Sequence, residues 1–256
     1  MTLVLTRAVG AAIERCELTH LARAPIDVAR ARRQHRAYEA CCEALGCEVR
    51  RLAEEPDLPD AVFVEDAAVV LDELAVITRP GAATRRPETR SIAAALAPHR
   101  PLRQIEPPAT LEGGDVLRVG RRLFVGLSTR SNAAAADQLA AFVGPYGYTV
   151  TPVPVSHCLH LKSAVTAIDP NTLLLDPGWV SPAAFAGLEL LEIDPAEPFA
   201  ANALRLRGEL IYPAAFPRTR RRLEARGFAV RVVDVSELAK AEGGVTCCSL
   251  VVEVPT

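Results

Sequence analysis

Acidic, imidazole and thiol side chains recur along this 256-residue chain at a spacing that could bring them to one place. They are Asp60 with Glu65 and Asp66, Glu112 with Asp115, then His160, Asn202 and Cys247. Carboxylates, a histidine and a thiol converging on one cavity would supply a cysteine nucleophile, an acid/base and a wall that binds a cation. Cys247 and Cys248 follow Gly243-Gly244 at what reads as the start of a strand, so the two thiols should point to opposite faces. The double glycine permits close backbone approach to a ligand and favours Cys247 as the reactive one. The plainer alternative makes both thiols small core side chains. In FVED (63–66) two adjacent acids interrupt an apolar run, so one carboxylate must turn inward, where it needs a cation or several donors. That partner is either an internal arginine or a cationic substrate. EGGD (112–115) can equally be a tight loop with solvated carboxylates. His157 and His160 flank Cys158, but they point apart on an extended segment and no CxxC or HExxH accompanies them, so no catalytic metal is expected. GxGxxG and GxxxxGK[ST] are missing too, which argues against a nucleotide cofactor.

The elements that must hold these residues repeat. Two apolar runs joined by a turn, a helical stretch and a further apolar run recur with a period of roughly 45 residues. AVFVEDAAVV and ELAVIT flank Asp72-Glu73, followed by a helix from about Pro87 to Ala97. DVLRV and RLFVG flank Gly120-Arg121, with SNAAAADQLAAFVG and YTVTPVPV behind them. LKSAVTAI and TLLLD flank Asp169-Pro170-Asn171, then SPAAFAG and LELLEI. NALRLR and ELIYP flank Gly208, then FPRTRRRLEARG, capped by Gly227, and FAVRVVDV. The fifth copy is split: CCSLVVEV at the C-terminus pairs with TLVLT at the N-terminus, and a helix over 26–45 leads to CEVRRLA. The expected fold is therefore α/β, a pseudo-fivefold propeller of five modules closed through both termini, with residues 1–256 as one domain. An open α/β sheet is the ordinary alternative, since the same alternation allows it. In the ring, the polar residues above all sit where the first strand of a module begins, and so face one central cavity.

Composition narrows the class further. With 29 basic against 31 acidic side chains and a net charge of −2, no clustered basic face for nucleic acid is expected. A chain of this length, half hydrophobic, buries a core without staples. It has no run of about 18 apolar residues to span a membrane. MTLVLTRAVG reads as a strand, not a signal peptide. Seven irregularly spaced cysteines fit a reduced cytoplasm better than a disulfide framework.

FVED, ITRPGA with Arg85-Arg86, LEGGD, VGLSTRSN, CLHLKS and EGGVTCCSL, in this order, resemble the dimethylarginine dimethylaminohydrolases (dimethylargininases). That family belongs to the guanidino-modifying superfamily with arginine deiminases and amidinotransferases, and the resemblance runs from LTRAV to CCSL. It implies the five-module propeller and hydrolysis of Nω-methylated L-arginine (asymmetric dimethylarginine or monomethylarginine) to L-citrulline and a methylamine, through a covalent S-alkylthiouronium. It implies Cys247 as nucleophile, His160 as acid/base and Glu112 as the acid that orients the histidine. Asp66 with Glu65 would hold the guanidinium, Asp60 the α-amino group, and Arg85 and Arg130 the α-carboxylate. Leu18 would belong to a mobile lid, and backbone carbonyls near Leu18 and Ala241 would complete the amino-group site. Lys162 would lie near the site without a chemical role. No cofactor is implied, although zinc taken up at Cys247 would inhibit, and a homodimer is implied. A deiminase acting on arginine or another substituted guanidine is the next reading. A non-catalytic binder of cationic amino acids is more remote, since it would not need Cys247, His160 and Glu112 together.

Overall fold

The computed structural model describes residues 1–254. In chain order its strands are β1 (Thr2–Arg7), β2 (Glu48–Leu52), β3 (Ala68–Val70), β4 (Ala75–Ile77), β5 (Leu102–Gln104), β6 (Val116–Val119), β7 (Arg122–Leu127) and β8 (Thr149–Pro154). Then come β9 (Val165–Ala167), β10 (Thr172–Leu175), β11 (Glu189–Glu192), β12 (Leu204–Leu206), β13 (Glu209–Pro213), β14 (Val230–Val233) and β15 (Leu250–Glu253). They form five three-stranded sheets with one wiring, β3-β4-β5, β6-β7-β8, β9-β10-β11, β12-β13-β14 and β15-β1-β2. In each the first pair is antiparallel and the second parallel. The fifth sheet joins the termini, with Val4 opposite Val251 and, on its other side, Val49.

The central strand of each sheet explains why these segments read as unbroken apolar runs. A strand buried on both faces needs apolar side chains at every position, not at alternate ones. Leu123 and Val125 of β7 enter one core while Phe124 enters the next. Leu173 and Leu175 of β10 enter the same core as Phe124, and Leu174 enters a further one. Leu210 and Tyr212 of β13 share that further core, with Ile211 turned to the following one beside Val4 of β1. Leu3 and Leu5 face the opposite way and meet Ala75 and Ile77 of β4, whose Val76 returns to the core of Val125. Five cores, each between two neighbouring sheets, thus close into a ring. The open-sheet alternative is excluded, because such a sheet would not bring β15 back against β3.

Helices cover the outside. α1 (Val28–Ala44) starts at Asp27, whose carboxylate accepts from the Arg30 amide at 2.9 Å. It is preceded by α-helix-free residues through 27, so the helix begins two residues later than expected from Pro25. α2 (Thr89–Leu96) follows a 3-10 turn over 83–88, which shortens the helix expected from Pro87. α3 (Ala133–Val143) is capped by Asn132, α4 (Leu161–Ala164) is one turn, α5 (Pro217–Ala225) opens on proline, and α6 (Ser236–Ala239) precedes the last loop. SPAAFAG forms only a 3-10 turn, Pro182–Phe185.

Three stretches expected as strands bend where they meet the ring axis. Residues 64–67 of FVED coil into a 3-10 turn before β3. LKSA winds into α4, with the Leu161 amide donating to Asp115 Oδ1 at 2.9 Å. Cys247 and Cys248 lie in a turn, and β15 begins only at Leu250. The opposite facing of the two thiols therefore holds, but for a different reason: Cys248 packs into the core of Val4 and Ile211. Cys247 turns toward the axis, where the Gly244 amide donates to its Sγ at 3.3 Å.

Candidate active site

The bends place the acidic, imidazole and thiol groups around one small pocket, lined by Asp60, Asp66, Arg85, Arg130, His160 and Cys247. Glu17, Phe63, Leu159, Ala241, Glu242 and Gly243 complete its walls. His160 Nε2 lies 2.7 Å from Glu112 Oε2, a carboxylate with no exposure to solvent. Its Nδ1 faces Asp66 Oδ1 at 3.8 Å. Gly114 makes this packing possible: a Cβ there would sit 2.7 Å from both Asp66 Oδ1 and His160 Nδ1. The Gly114 amide donates to that same Asp66 oxygen at 3.0 Å. Asp115, buried behind the histidine, accepts from Ser128 Oγ and Ser131 Oγ, each at 2.6 Å, and from the Leu161 amide. It thereby anchors the turn that carries His160.

The charges decide the protonation. Burial works against the His160 imidazolium, but Asp66, Asp115 and Glu112 outweigh it and raise His160 to about 9. Burial likewise opposes ionised Asp66, yet His160 and Arg85 bring it down to about 2. Cys247 is driven the other way, to about 12, by burial and by the carboxylates of Glu65 and Asp66. At neutral pH the empty site thus holds an imidazolium and a neutral thiol. Iodoacetamide should therefore alkylate Cys247 slowly at pH 7, with a rate rising about tenfold per pH unit through pH 9, because only the thiolate reacts. A plateau below pH 8 would contradict this.

The arginines differ. Arg85 is enclosed: Nη1 donates to Asp66 Oδ2 at 2.6 Å, Nε and Nη2 to Glu88 at 3.1 and 2.9 Å, and Nη2 also to the Asp60 and Phe63 carbonyls. Arg130 donates through Nη2 to Thr19 Oγ1 at 3.0 Å, while its buried Nη1 has no hydrogen-bond partner among the described residues and faces Glu112 Oε1 at 3.6 Å in a loose ion pair. A buried donor without a hydrogen bond is costly, and this one keeps hydrogen-bonding capacity for an anion beyond its ion pair with Glu112. Arg130→Ala should raise KM at least tenfold with kcat changed less than threefold. Arg85→Ala would leave Glu88 buried without a cation and Asp66 with only His160 and the Gly114 amide, and should cost about 3–5 kcal/mol of stability, read by urea titration. If both variants instead gave the same pure KM effect, the difference between the two arginines would be lost.

Glu88 was not singled out in the sequence, although its i,i+3 spacing from Arg85 in RRPE is a readable pair. Burial raises Glu88 to about 7 despite Arg85. Glu242 was missed as well. Its carboxylate accepts from the Thr19, His20 and Leu21 amides, at 2.6 Å for the last two. Asp60 Oδ2 accepts from the Glu17 amide at 3.1 Å. Together with the Arg130–Thr19 bond, these tie residues 17–21 across the pocket. Leu18 itself packs toward the core and Glu17 takes its place in the pocket lining, while Ala241 lines the pocket as expected. Glu242→Gln should speed amide exchange of Thr19–Leu21, because a neutral acceptor makes weaker bonds than a carboxylate. Unchanged exchange would mean that something else holds the segment.

Glu65 lies on the other side of the thiol, bound by Lys162 Nζ at 2.5 Å and Thr246 Oγ1 at 2.8 Å. Lys162 is thus the partner of a buried carboxylate, not a bystander. Asn202 bridges the Lys162 carbonyl and Thr246, joining the fourth sheet to the last loop. Among the described residues, the group compact enough for a metal ion is Asp66, Glu112 and His160. Arg85 already lies against both carboxylates, 2.6 Å from Asp66 and 3.9 Å from Glu112. Cys247, at which zinc taken up would inhibit, is outside that group.

A thiol, a histidine–carboxylate pair and a guanidinium-sized acidic wall on a five-sheet ring define a guanidine-modifying α/β propeller, and the arginine deiminase family model matches residues 48–197. The chain is 37% identical to an N(G),N(G)-dimethylarginine dimethylaminohydrolase of Pseudomonas aeruginosa, over 88% of this chain and 89% of that one. It is 39% identical to the protein of that name from Streptomyces coelicolor, over 91% and 90%. A cysteine-to-serine variant of the Pseudomonas aeruginosa enzyme in complex with citrulline superimposes with a TM-score of 0.92, at 33% identity, over 97% of this chain and 98% of that one. The chain belongs to the dimethylarginine dimethylaminohydrolase family.

Proposed function

We propose that this protein hydrolyses Nω-methylated L-arginine to L-citrulline and a methylamine. One observation carries the reading: Cys247, Asp66 and His160, the last backed by the buried Glu112, line a pocket whose other walls present Asp60 and Arg130. The related enzymes are named for dimethylarginine, and one of them holds citrulline. The substrate's α-carboxylate meets Arg130 and its α-amino group Asp60. The guanidinium lies against Asp66, whose charge-assisted bonds fix its plane beside the thiol. Arg85 holds Asp66 in place through their 2.6 Å contact. Bringing a cation next to Cys247 offsets the carboxylates that keep the thiol neutral.

The thiol gives its proton to solvent as the cation binds, and the thiolate attacks the guanidinium carbon. His160, held by Glu112 through Nε2, protonates the departing amine from Nδ1 and leaves a thiouronium on Cys247. Water adds to that carbon and gives its proton to His160. Cys247 leaves with the bonding electrons, and citrulline is released.

Among the described residues no helix is long and apolar enough to cross a membrane. All seven cysteines are free, which supports the cytoplasm as the site of action. The five inter-sheet cores support residues 1–256 acting as one domain, and the homodimer remains part of the proposal on resemblance, checked by light scattering. Citrulline release from asymmetric dimethylarginine, monomethylarginine and arginine in parallel tests the reaction. Turnover of the methylated substrates is expected. Turnover of arginine alone would make the protein a deiminase.

A further inference from the structure

Beside the small pocket, and sharing Cys247, His160, Leu159, Glu242 and Gly243 with it, lies a second cavity of about 330 Å³. Its outer walls are largely apolar: Phe199, Pro213, Phe216, Val235 and Ala239. Of its acidic lining, Glu65 is neutralised by Lys162 at 2.5 Å, Asp234 is paired with Arg30 at 3.1 Å, and Glu242 is held by the Thr19, His20 and Leu21 amides. Asp60, Arg85 and Arg130 line only the small pocket. A substrate held there by its amino-acid end and attacked at the guanidinium carbon by Cys247 must project its Nω substituent into this second space. A dimethylamino group has three heavy atoms. A space at the lower end of the range of whole small-ligand pockets, ~300–1,000 Å³, is far more than it needs.

The rim carries a further mark. Phe199 has φ of +70°, a backbone region costly for a bulky side chain, and its ring stands edge-on to Trp179 with centroids 4.7 Å apart. The ring is thus held, 38% exposed, at the mouth of the cavity. Non-glycine strain of this kind persists where the surroundings enforce it.

We propose that the enzyme also hydrolyses arginines whose Nω substituent is a neutral alkyl group much larger than methyl, with the alkyl chain lodged in this cavity. The inference rests on the hydrolase reading above and names a wider substrate class for the same site. The bonds are those of the methylated substrate. Cys247 sulfur forms a bond to the guanidinium carbon, the bond from that carbon to the alkyl-bearing nitrogen breaks, and the alkylamine leaves with a proton from His160. Water supplies the citrulline oxygen, and sulfur is expelled with its electron pair. A butylamine is about as basic as a methylamine, so the chemical step does not select between them. Each buried methylene is worth about fourfold in binding, which offsets the ordering of a longer chain.

The test compares Nω-methyl-L-arginine with Nω-butyl-L-arginine for the wild-type protein and Ala239→Phe. Ala239 is an exposed lining residue at the end of α6, so the added ring fills the cavity without disturbing a core. Expected for the wild type is butylamine and citrulline release with kcat/KM within tenfold of the methyl substrate. Ala239→Phe should lower kcat/KM for the butyl substrate at least tenfold and for the methyl substrate less than threefold. Phe199→Gly, which removes the ring and relieves the strained φ, should also weaken the butyl substrate selectively. Hydrolysis of the methyl substrate with neither turnover nor inhibition by the butyl one would overturn the proposal and leave the hydrolase reading standing. Equal losses on both substrates in Ala239→Phe would overturn it too. Inactivity toward both in the wild type would bring down the hydrolase reading itself.

Discussion

Cys247→Ser should lower citrulline formation by at least ~10⁴-fold while leaving the fold unchanged, since loss of a covalent nucleophile is among the largest single-site effects in catalysis. Serine keeps the size of the side chain and can still accept from the Gly244 amide, the contact that Sγ makes at 3.3 Å. What it loses is an ionisable thiol. A neighbouring guanidinium stabilises the thiolate enough for a thiol to lose its proton to solvent, but not enough for an alcohol of much higher pKa. The matched control is Cys248→Ser. Cys248 is fully buried against the core of Val4 and Ile211, and its thiol donates to the Gly244 carbonyl at 3.4 Å. Serine can repeat that bond, so most activity should remain. The two variants should unfold at similar urea concentrations. Reversed activities would mean that the turn at 245–248 presents the other thiol to the pocket.

The second large effect is expected at His160. His160→Gly removes both the acid for the leaving amine and the base for water, and should reduce kcat roughly 10³–10⁴-fold. A substrate whose leaving group is a thiol, such as S-methyl-L-thiocitrulline, does not need that acid. With it, adduct formation should survive in His160→Gly while hydrolysis stalls, so that the adduct accumulates. The wild-type pH profile supplies a companion measurement. His160 is raised to about 9 by carboxylates that outweigh burial, so its acid form is present below pH 9 and is lost as pH rises through that value. Activity on methylarginines should fall on the alkaline side accordingly. The thiol-leaving substrate should lose less adduct-forming rate there. Identical alkaline limbs for adduct formation from both substrates would assign the proton to another group.

Much of this site could be read from the sequence because buried charge is rare. The acids of FVED and LEGGD, with His160 in CLHLKS, interrupt apolar runs, and such interruptions need partners. Here the partners are Arg85 for Asp66, Lys162 for Glu65 and His160 for Glu112. The ring was legible because the central strands of all five sheets are apolar at consecutive positions, as Leu173, Leu174 and Leu175 are, each serving two cores. Local conformation at the axis was not legible. Residues 64–67, 161–164 and 245–248 have strand-like composition, yet they bend because hydrogen bonds with distant residues, such as that from the Leu161 amide to Asp115, hold them so. Glu242 gave little warning. It is an exposed-looking acid before two glycines, and its role depends on three amides more than two hundred residues earlier in the chain. The closed state of Arg85 was equally hidden, because sequence marks a cation as available without indicating which carboxylate holds it.

The central claim is that carbon–nitrogen cleavage passes through a covalent thiouronium on Cys247. The most direct measurement is the intact and peptide mass of enzyme quenched in acid during turnover. Monomethyl- and asymmetric dimethylarginine should each yield an adduct of the same mass, because the methylamine or dimethylamine has already departed, and it should lie on the peptide holding Cys247 and vanish in Cys247→Ser. An adduct that retains the methyl groups, one on Cys248, or turnover with no adduct even in His160→Gly would contradict the account.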